Sequence, residues 1–274
     1  MRFVIILQLT AAFLATTVAC KKTAEIQVSG ELKQWHTVTL TFPGPPASEY
    51  DTLNPFTDYR LDVEFTDGIR SFTVPGYFAA DGNAAETSAQ SGNLWRVKFC
   101  PPSPGEWKYN VSFLKGRNIA ISDNQASAQK IYPDGETGTL DISESDKNAP
   151  DFRSKGRVKY DGTRYLKHEG NGEIFLKGGA DSPENFLAYS DFDQTSRFSL
   201  KTEVREGEAD PKKGLHKYEP HVIDWKTGDP IWQNGKGKGI IGALNYLNTA
   251  GVNSVYMLTL NILGDGKDVW PYSD

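Results

Sequence analysis

From about residue 25 to 120 the chain alternates apolar and polar residues with a period of two. "WHTVTLTF" sets Val38, Leu40 and Phe42 on one side and threonines on the other. "DYRLDVEF" repeats the pattern with Tyr59, Leu61, Val63 and Phe65, and "TDG" then turns the chain into "IRSFTVPGYF". "LWRVKF" and "GEWKYNVSF" follow, the second alternating Trp107, Tyr109, Val111 and Phe113. Short alternating runs with a turn signal every ten or so residues predict an antiparallel β-sandwich of immunoglobulin-like type. No helix of useful length is expected in this stretch.

Residues 122–155 are rich in Ser, Asp, Gly and Lys; "GTLDI" supplies one last strand, and the remainder reads as a join, with the domain boundary near residue 148. Beyond it the pattern changes. "GRVKYDGTRYLKHEGNGEIFLKGGAD" reads as strand, DG turn, strand, GNG turn, and an apolar strand ending in Gly-Gly and Asp181. A polar excursion runs from Ser182 to Lys238. "GIIGALNYLNTAG" then spaces Ile240, Ile241, Leu244 and Leu247 as a helix does, with Gly251 as its stop. "VNSVYMLTLN" is a continuous apolar run of strand length, as when both faces of a parallel strand are buried. Strand, helix and strand make a βαβ unit of a parallel sheet or barrel. Asp181 and Asp265 then stand at the C-terminal ends of two neighbouring strands, where α/β folds build their sites.

Composition changes this picture little. The 274 residues suit two ordinary domains or one barrel, and the abundance of aromatics (twelve Tyr, fourteen Phe, six Trp) with Gly and Pro favours strands and turns. The net charge of −5 is spread along the chain. With no basic stripe, nucleic acid is not expected as a partner. The N-terminus reads as an export signal: "MRFVIILQLTAAFLATTVAC" has Arg2, an apolar stretch too short to span a membrane, and small residues before Cys20. "TVAC" resembles a lipobox, which would lipidate Cys20, although Thr17 stands where Leu is usual; ordinary secretion with cleavage after Ala19 is the other reading. Cys100 then lacks a partner and reads as a small buried hydrophobe.

Several motifs admit two readings. Trp35, Trp95 and Trp107 lie in alternating runs and are assigned to packing ahead of sugar stacking. The loop "GYFAADGNAAETSAQSGN" contacts either a neighbouring domain or a ligand; Asp81, Asn83 and Glu86 within it do not match a calcium loop. "GKGKG" lacks the spacing of a P-loop. In "HKYEPH", Pro220 breaks the helix that a His216/His221 metal pair would prefer, so no metal and no cofactor is expected. Trp225 and Trp232 lie in the excursion, on the expected site face, and serve either to stack on a sugar or to pack the loop.

The sandwich stretches "WHTVTLTFPGPPASEYDTLNPFTDYRLDVEF", "VPGYFAADGNAAETSAQSGNLWRVKF" and "PGEWKYNVSF" resemble the immunoglobulin-like N-terminal domain of a group of exported bacterial proteins. In that group it precedes a (β/α)8 barrel related to apiosidase-like glycoside hydrolases, and "KYEPHVIDWKTGDPIWQNGKGKGIIGALNYLNTAGVNSVYMLTLNILGDGKDVWPY" resembles the start of that barrel. One departure is plain: the first strand ends in "GGADSPENF" where such barrels carry a Gly-Asp-Thr-Ala-Trp type motif. The resemblance implies a signal peptide over 1–19, a sandwich accessory domain with linker over 24–148, and the first βαβ portion of a barrel, left incomplete, over 149–274. It implies the N-terminal portion of an exported, cell-envelope O-glycosyl hydrolase acting on a polysaccharide, touching the membrane only through a lipid anchor. The acid/base and nucleophile of such a barrel are expected on later strands, beyond residue 274, so no residue here is assigned a catalytic role. Substrate contacts are expected from Asp181, Glu184, Asn185, Trp225, Trp232, Asp265, Asp268 and Trp270. The alternative is a non-catalytic surface lipoprotein module that binds carbohydrate or matrix protein.

Overall fold

The computed structural model describes residues 25–179, 186–193, 196–197, 215–257 and 269–270, the two dipeptides by backbone alone. Its first part is built from β1 (Gln27–Ser29), β2 (Val38–Ser48), β3 (Tyr59–Thr66), β4 (Ser71–Pro75), β5 (Tyr77–Phe78), the one-turn helix α1 (Ala84–Thr87), β6 (Ser91–Phe99), β7 (Gly105–Lys115), β8 (Gln129–Lys130) and β9 (Thr137–Ile142). These make two sheets, one in the order β1-β2-β6-β5 and the other β4-β3-β7-β8 with β9 also on β7, and every pairing is antiparallel. The alternation carried by the residues decides the facing. Val38, Leu40 and Phe42 of β2, Leu61, Val63 and Phe65 of β3, and Trp107, Val111 and Phe113 of β7 are all buried between the sheets. The first half is therefore a β-sandwich, and "GTLDI" supplies its strand β9.

Trp95 on β6 is the centre of the core at 1% exposure. Its ring lies 4.9 Å from Phe113, 5.1 Å from Tyr59 and 5.2 Å from Phe78, centroid to centroid. Room for it comes from β2, whose register against β6 shifts between Pro43 and Ala47. A Cβ on Gly44 would fall 2.5 Å from the indole, and the Pro45 carbonyl accepts the Trp95 Nε1–H at 3.3 Å. Two consecutive prolines are tolerated there because a bulge takes their missing donors out of the ladder. Trp95 and Trp107 are thus core residues, as their alternating runs imply. At Gly76 the chain leaves β4 in one sheet to become β5 in the other; the Gly76 amide donates to the Leu61 carbonyl at 2.7 Å, and any Cβ there would strike the Leu61 side chain.

Asp58 is the buried carboxylate of this half, 6% exposed. Its Oδ1 accepts the Asn118 amide at 2.7 Å and its Oδ2 the Asn54 amide at 2.9 Å, which ties the turn before β3 to the 3-10 turn Ile119–Ile121 after β7. The Asn118 bond, ahead of the opposing effect of burial and with help from Asn54, holds this carboxyl below its usual range.

Beyond the linker, β10 (Val158–Tyr160), β11 (Leu166–His168) and β12 (Ile174–Phe175) form the expected strand–turn–strand–turn–strand as an antiparallel meander. The expected helix is α2 (Lys238–Thr249), with Ile240 and Ala243 buried. A 3-10 turn, Glu219–Asp224, lies so close to α2 that a Cβ on Gly242 would meet the His221 carbonyl. The backbones of 176–179 and 252–254 run close together: the Asn253 amide donates to the Gly178 carbonyl at 2.9 Å, and the Asn253 side chain bonds Gly178 N and Leu176 O. Over its described part, "VNSVYM" is not laid into a sheet; residues 258–268 lie outside the described set. Two short strands, β13 (Ser196–Arg197) and β14 (Val269–Trp270), pair antiparallel.

Among the described residues the halves meet at two places. Trp35, held at φ 63, has its ring against Gly156 and Gly170, where any Cβ would fall within 2.9 Å of it. On the other side, Glu86 and Ser88 of the long loop meet Gln233: the Gln233 amide donates to Glu86 Oε2 at 2.7 Å and its side chain to Ser88 Oγ at 3.0 Å. The loop left open between two uses by its composition is a contact with the second half.

Residues 24–148 expressed alone should melt cooperatively as an all-β domain, since every residue of the main core lies within them; a featureless or helix-dominated circular dichroism spectrum would contradict this. Asp58→Ala should cost about 2 kcal/mol in denaturant unfolding, because two amides in partly buried bonds lose their acceptor. A carboxyl whose folded pKa is depressed contributes stability above its unfolded value of about 3.9, and loses it as pH falls through the folded value. The wild-type domain should therefore weaken below about pH 4 more steeply than Asp58→Ala does, as read from midpoints at a series of acid pH values.

Candidate functional site

The second half gathers four aromatics around one carboxylate. Tyr189 and Phe186 are buried, and the Tyr218 ring lies 5.2 Å from Phe186 and 5.6 Å from Tyr189. Backbone bonds between Ala188, Ser190 and His216 hold the two chain segments side by side. Tyr189 donates its hydroxyl to Asp191 Oδ2 at 2.7 Å, and the same oxygen accepts the Gly237 amide at 3.0 Å. Asp191 thus sits at the start of α2, where the free amides and the helix dipole favour a negative charge. The Trp232 indole N–H donates to the Asp191 carbonyl at 3.1 Å.

Burial first, then the hydrogen bond to and the charge of Asp191, push the Tyr189 phenol up to about 12. Burial, with Tyr189 adding to it, raises Tyr218 as well, and its hydroxyl donates to the Phe186 carbonyl. Tyr189 held neutral on the Asp191 carboxylate, with the Tyr218 ring packed against it, makes a fixed polar anchor. Its chemistry is positional: it fastens the 186–193 segment to the beginning of the helix.

Placed against these positions, the expected contact residues divide. Trp232 packs: one face stacks on Phe192 with centroids 5.7 Å apart, and the Gly237 backbone lies so near the ring that a Cβ would fall 2.1 Å from it. These contacts fit the packing use of Trp232, one of the two left open by the sequence. Trp225 is half-buried; its indole N–H donates to the Pro230 carbonyl, and Lys238 Nζ stands 4.5 Å above its ring as a cation–π partner. Trp270 is described only as the backbone partner of Ser196. Asp181, Glu184, Asn185, Asp265, Asp268 and the lipidation candidate Cys20 lie outside the described residues. Asp191, Tyr189 and Tyr218 were not singled out by sequence reasoning; "FLAYSDFD" has aromatics at three-residue steps, a weak signal inside a segment that reads as loop.

The remaining titratable clusters are structural. His221 pairs with Asp224 at 3.1 Å and lies on the Tyr246 ring, while His216 stacks on Tyr218. Glu31, His36 and Asp146 come close enough to share an ion, but Lys33 and Lys147 already pair with both carboxylates, and Arg153 reaches Glu31. That is an ion-pair network binding the arm before β2 to the linker. Cys100 is half-buried, and burial raises its thiol.

Residues 31–114, from the arm before β2 to the end of β7, match the family model described as "Domain of unknown function (DUF5060)". No curated protein matches the chain. Among solved structures it is similar to a "putative glycoside hydrolase" from Bacteroides vulgatus ATCC 8482, at 22% identity and a TM-score of 0.34. That similarity covers 57% of this chain and 25% of that one, so this chain spans about a quarter of the other's length.

Raised phenol pKa values have a consequence for stability. A tyrosine held neutral in the fold contributes stability that is fully present below its unfolded pKa of about 10, and loses it as pH rises toward the folded value. Thermal stability of the full chain should fall between pH 10 and 12, and Tyr189→Phe should make that fall shallower, as measured by melting at each pH with tyrosinate absorbance recorded in parallel.

Proposed function

We propose that this chain is the N-terminal portion of an exported carbohydrate-active enzyme, an O-glycosyl hydrolase acting on a polysaccharide. In this reading the sandwich is an immunoglobulin-like accessory domain, and residues 149–274 begin a (β/α)8 barrel of apiosidase-like type. Residues 1–19 direct export, and Cys20 carries the lipid that holds the protein at the cell envelope.

The observation that supports it best is the close approach of 176–179 and 252–254 with α2 in the connection between them. Gly179 is required there, since a Cβ would fall 2.0 Å from the Ser254 carbonyl. Two chain segments brought side by side by a helical crossover is how a barrel starts. The sandwich meets the second half at Gly156 and Gly170 through Trp35 and at Gln233 through Glu86 and Ser88, as an accessory domain fixed to a catalytic one would. The resemblance of the sandwich and barrel-start motifs to exported glycoside hydrolases supplies the reaction class.

Glycoside hydrolysis needs two carboxyl groups across one bond, about 5 Å apart for retention and about 6.5–9.5 Å for inversion. In the proposal those groups lie on strands past residue 274, and Asp181 and Asp265 hydrogen-bond substrate at the strand tips. The chain as it stands should release no reducing sugar from a panel of plant and bacterial polysaccharides, whereas a protein extended along the downstream reading frame should. Turnover by the shorter chain, abolished by Asp181→Asn or Asp265→Asn, would put catalysis inside it. No turnover by either protein would leave the non-catalytic binding module as the reading.

A further inference from the structure

The sandwich carries an open cleft of about 250 Å3 at the place where the chain changes sheets. Its walls come from the turn before β3 (Pro55, Phe56), from the crossover and β5 (Gly76, Tyr77, Phe78), and from the start of β3 (Arg60, Asp62). Trp95 and Leu61 reach its floor from the core. Two aromatics stand at its mouth with much of their surface in water, Phe56 at 55% and Tyr77 at 42% exposure. Both are far more exposed than the aromatics of the core, although Phe56 also meets Phe78 edge-on with centroids 6.4 Å apart.

The polar side of the cleft is a single pair. Arg60 Nε donates to Asp62 Oδ2 at 2.6 Å and its Nη1 to the Ser122 carbonyl at 3.3 Å. Among the described residues, Arg60 Nη2, Asp62 Oδ1 and the Tyr77 hydroxyl have no partner. The guanidinium is therefore held at two of its nitrogens while the third keeps its donors, and the carboxylate keeps one free oxygen. A locked donor next to a locked acceptor fits two neighbouring hydroxyls, one accepting from Arg60 and the other donating to Asp62. Phe56 and Tyr77 line the same cleft and offer an apolar surface to the C–H face of the same molecule.

The rim is held in place before any ligand arrives. Phe56 N–H bonds Asn54 Oδ1, Asp58 clamps Asn54 to Asn118, and the Ala120 amide donates to the Thr57 carbonyl. A rim fixed by hydrogen bonds before binding loses little entropy on binding. The volume lies below the range of about 300–1,000 Å3 usual for drug-sized ligands, so one ring-sized unit is accommodated.

We propose that this cleft is a sugar-binding subsite, taking one neutral pyranose or furanose unit of a glycan with its ring face on Phe56 and Tyr77 and two vicinal hydroxyls on Arg60 and Asp62. The Arg60–Asp62 pair carries no net charge, which selects a neutral sugar over an acidic one. The site belongs to the sandwich and needs nothing from the second half. It rests on the carbohydrate reading above only for the ligand class, and hydrolysis by a longer protein can fail without altering it.

Binding is tested by affinity electrophoresis of the full chain in gels containing neutral glycans (xylan, arabinan, galactan, mannan and β-glucan), followed by titration with the matching oligosaccharide. A single unit should bind weakly, on the order of 1 mM. At least one glycan should retard the wild type. The Phe56→Ala/Tyr77→Ala variant should lose retardation at least tenfold with an unchanged melting temperature, because both residues are exposed. Arg60→Lys keeps the charge but not the fork and should lose a similar amount, while Tyr50→Ala, exposed and outside the cleft, should change nothing. Failure of every glycan to retard the chain, or retardation that survives the cleft variants, would overturn the proposal. So would retardation by a gelatin gel alone, lost in the same variants, which would make the cleft a peptide site.

Discussion

The packing of Trp95 between the two sheets is the constraint from which most of the first half follows. An indole is large, flat and carries one donor, so a core that buries it completely must supply both a gap and an acceptor. β2 supplies both at one place: the bulge after Pro43 removes a side chain at Gly44 and turns the Pro45 carbonyl inward. The rings of Tyr59, Phe78 and Phe113 then close around it from three strands of both sheets. Phe78 reaches that position because the chain crosses at Gly76, and the same crossing leaves Tyr77 outside. A core requirement and an exposed aromatic cleft are consequences of one backbone step.

The junction between the halves is a second constraint with its own cost. Trp35 adopts a left-handed conformation that a bulky residue avoids, at a cost on the order of 1 kcal/mol, and its indole N–H is buried with no partner among the described residues. What offsets this is the fit of the ring against Gly156 and Gly170, and the anchoring of its own amide on the Pro101 carbonyl at 2.8 Å. The ion pairs of Glu31 and Asp146 with Lys33 and Lys147 lie beside this contact. Exposed pairs of this kind contribute little each, so the ring, more than the charges, holds the linker. With Gln233 fastened to Glu86 and Ser88 at a separate point, the two halves meet in two places among the described residues, which restrains rotation about either one.

What the chain determined by itself is the part governed by period and by local turn chemistry. Alternation in β2, β3 and β7 names the buried faces because a strand turns successive residues to opposite sides, and a core accepts only one of them. The meander β10–β12 is legible from its DG and GNG turns, and α2 from its 3.6-residue spacing. The two uses left open for Trp225 and Trp232 could not be separated that way. Whether a ring packs or faces water depends on what lies across from it: Phe192 and Gly237 cover Trp232, and Lys238 stands over Trp225. The Asp191 anchor joins Tyr189 to Gly237, and the cleft joins Arg60 to Tyr77 and both to the turn at Phe56, residues that share no common period. Such groupings are made by strand pairing and chain crossing, which act between positions far apart in sequence, so only the tertiary structure could decide them.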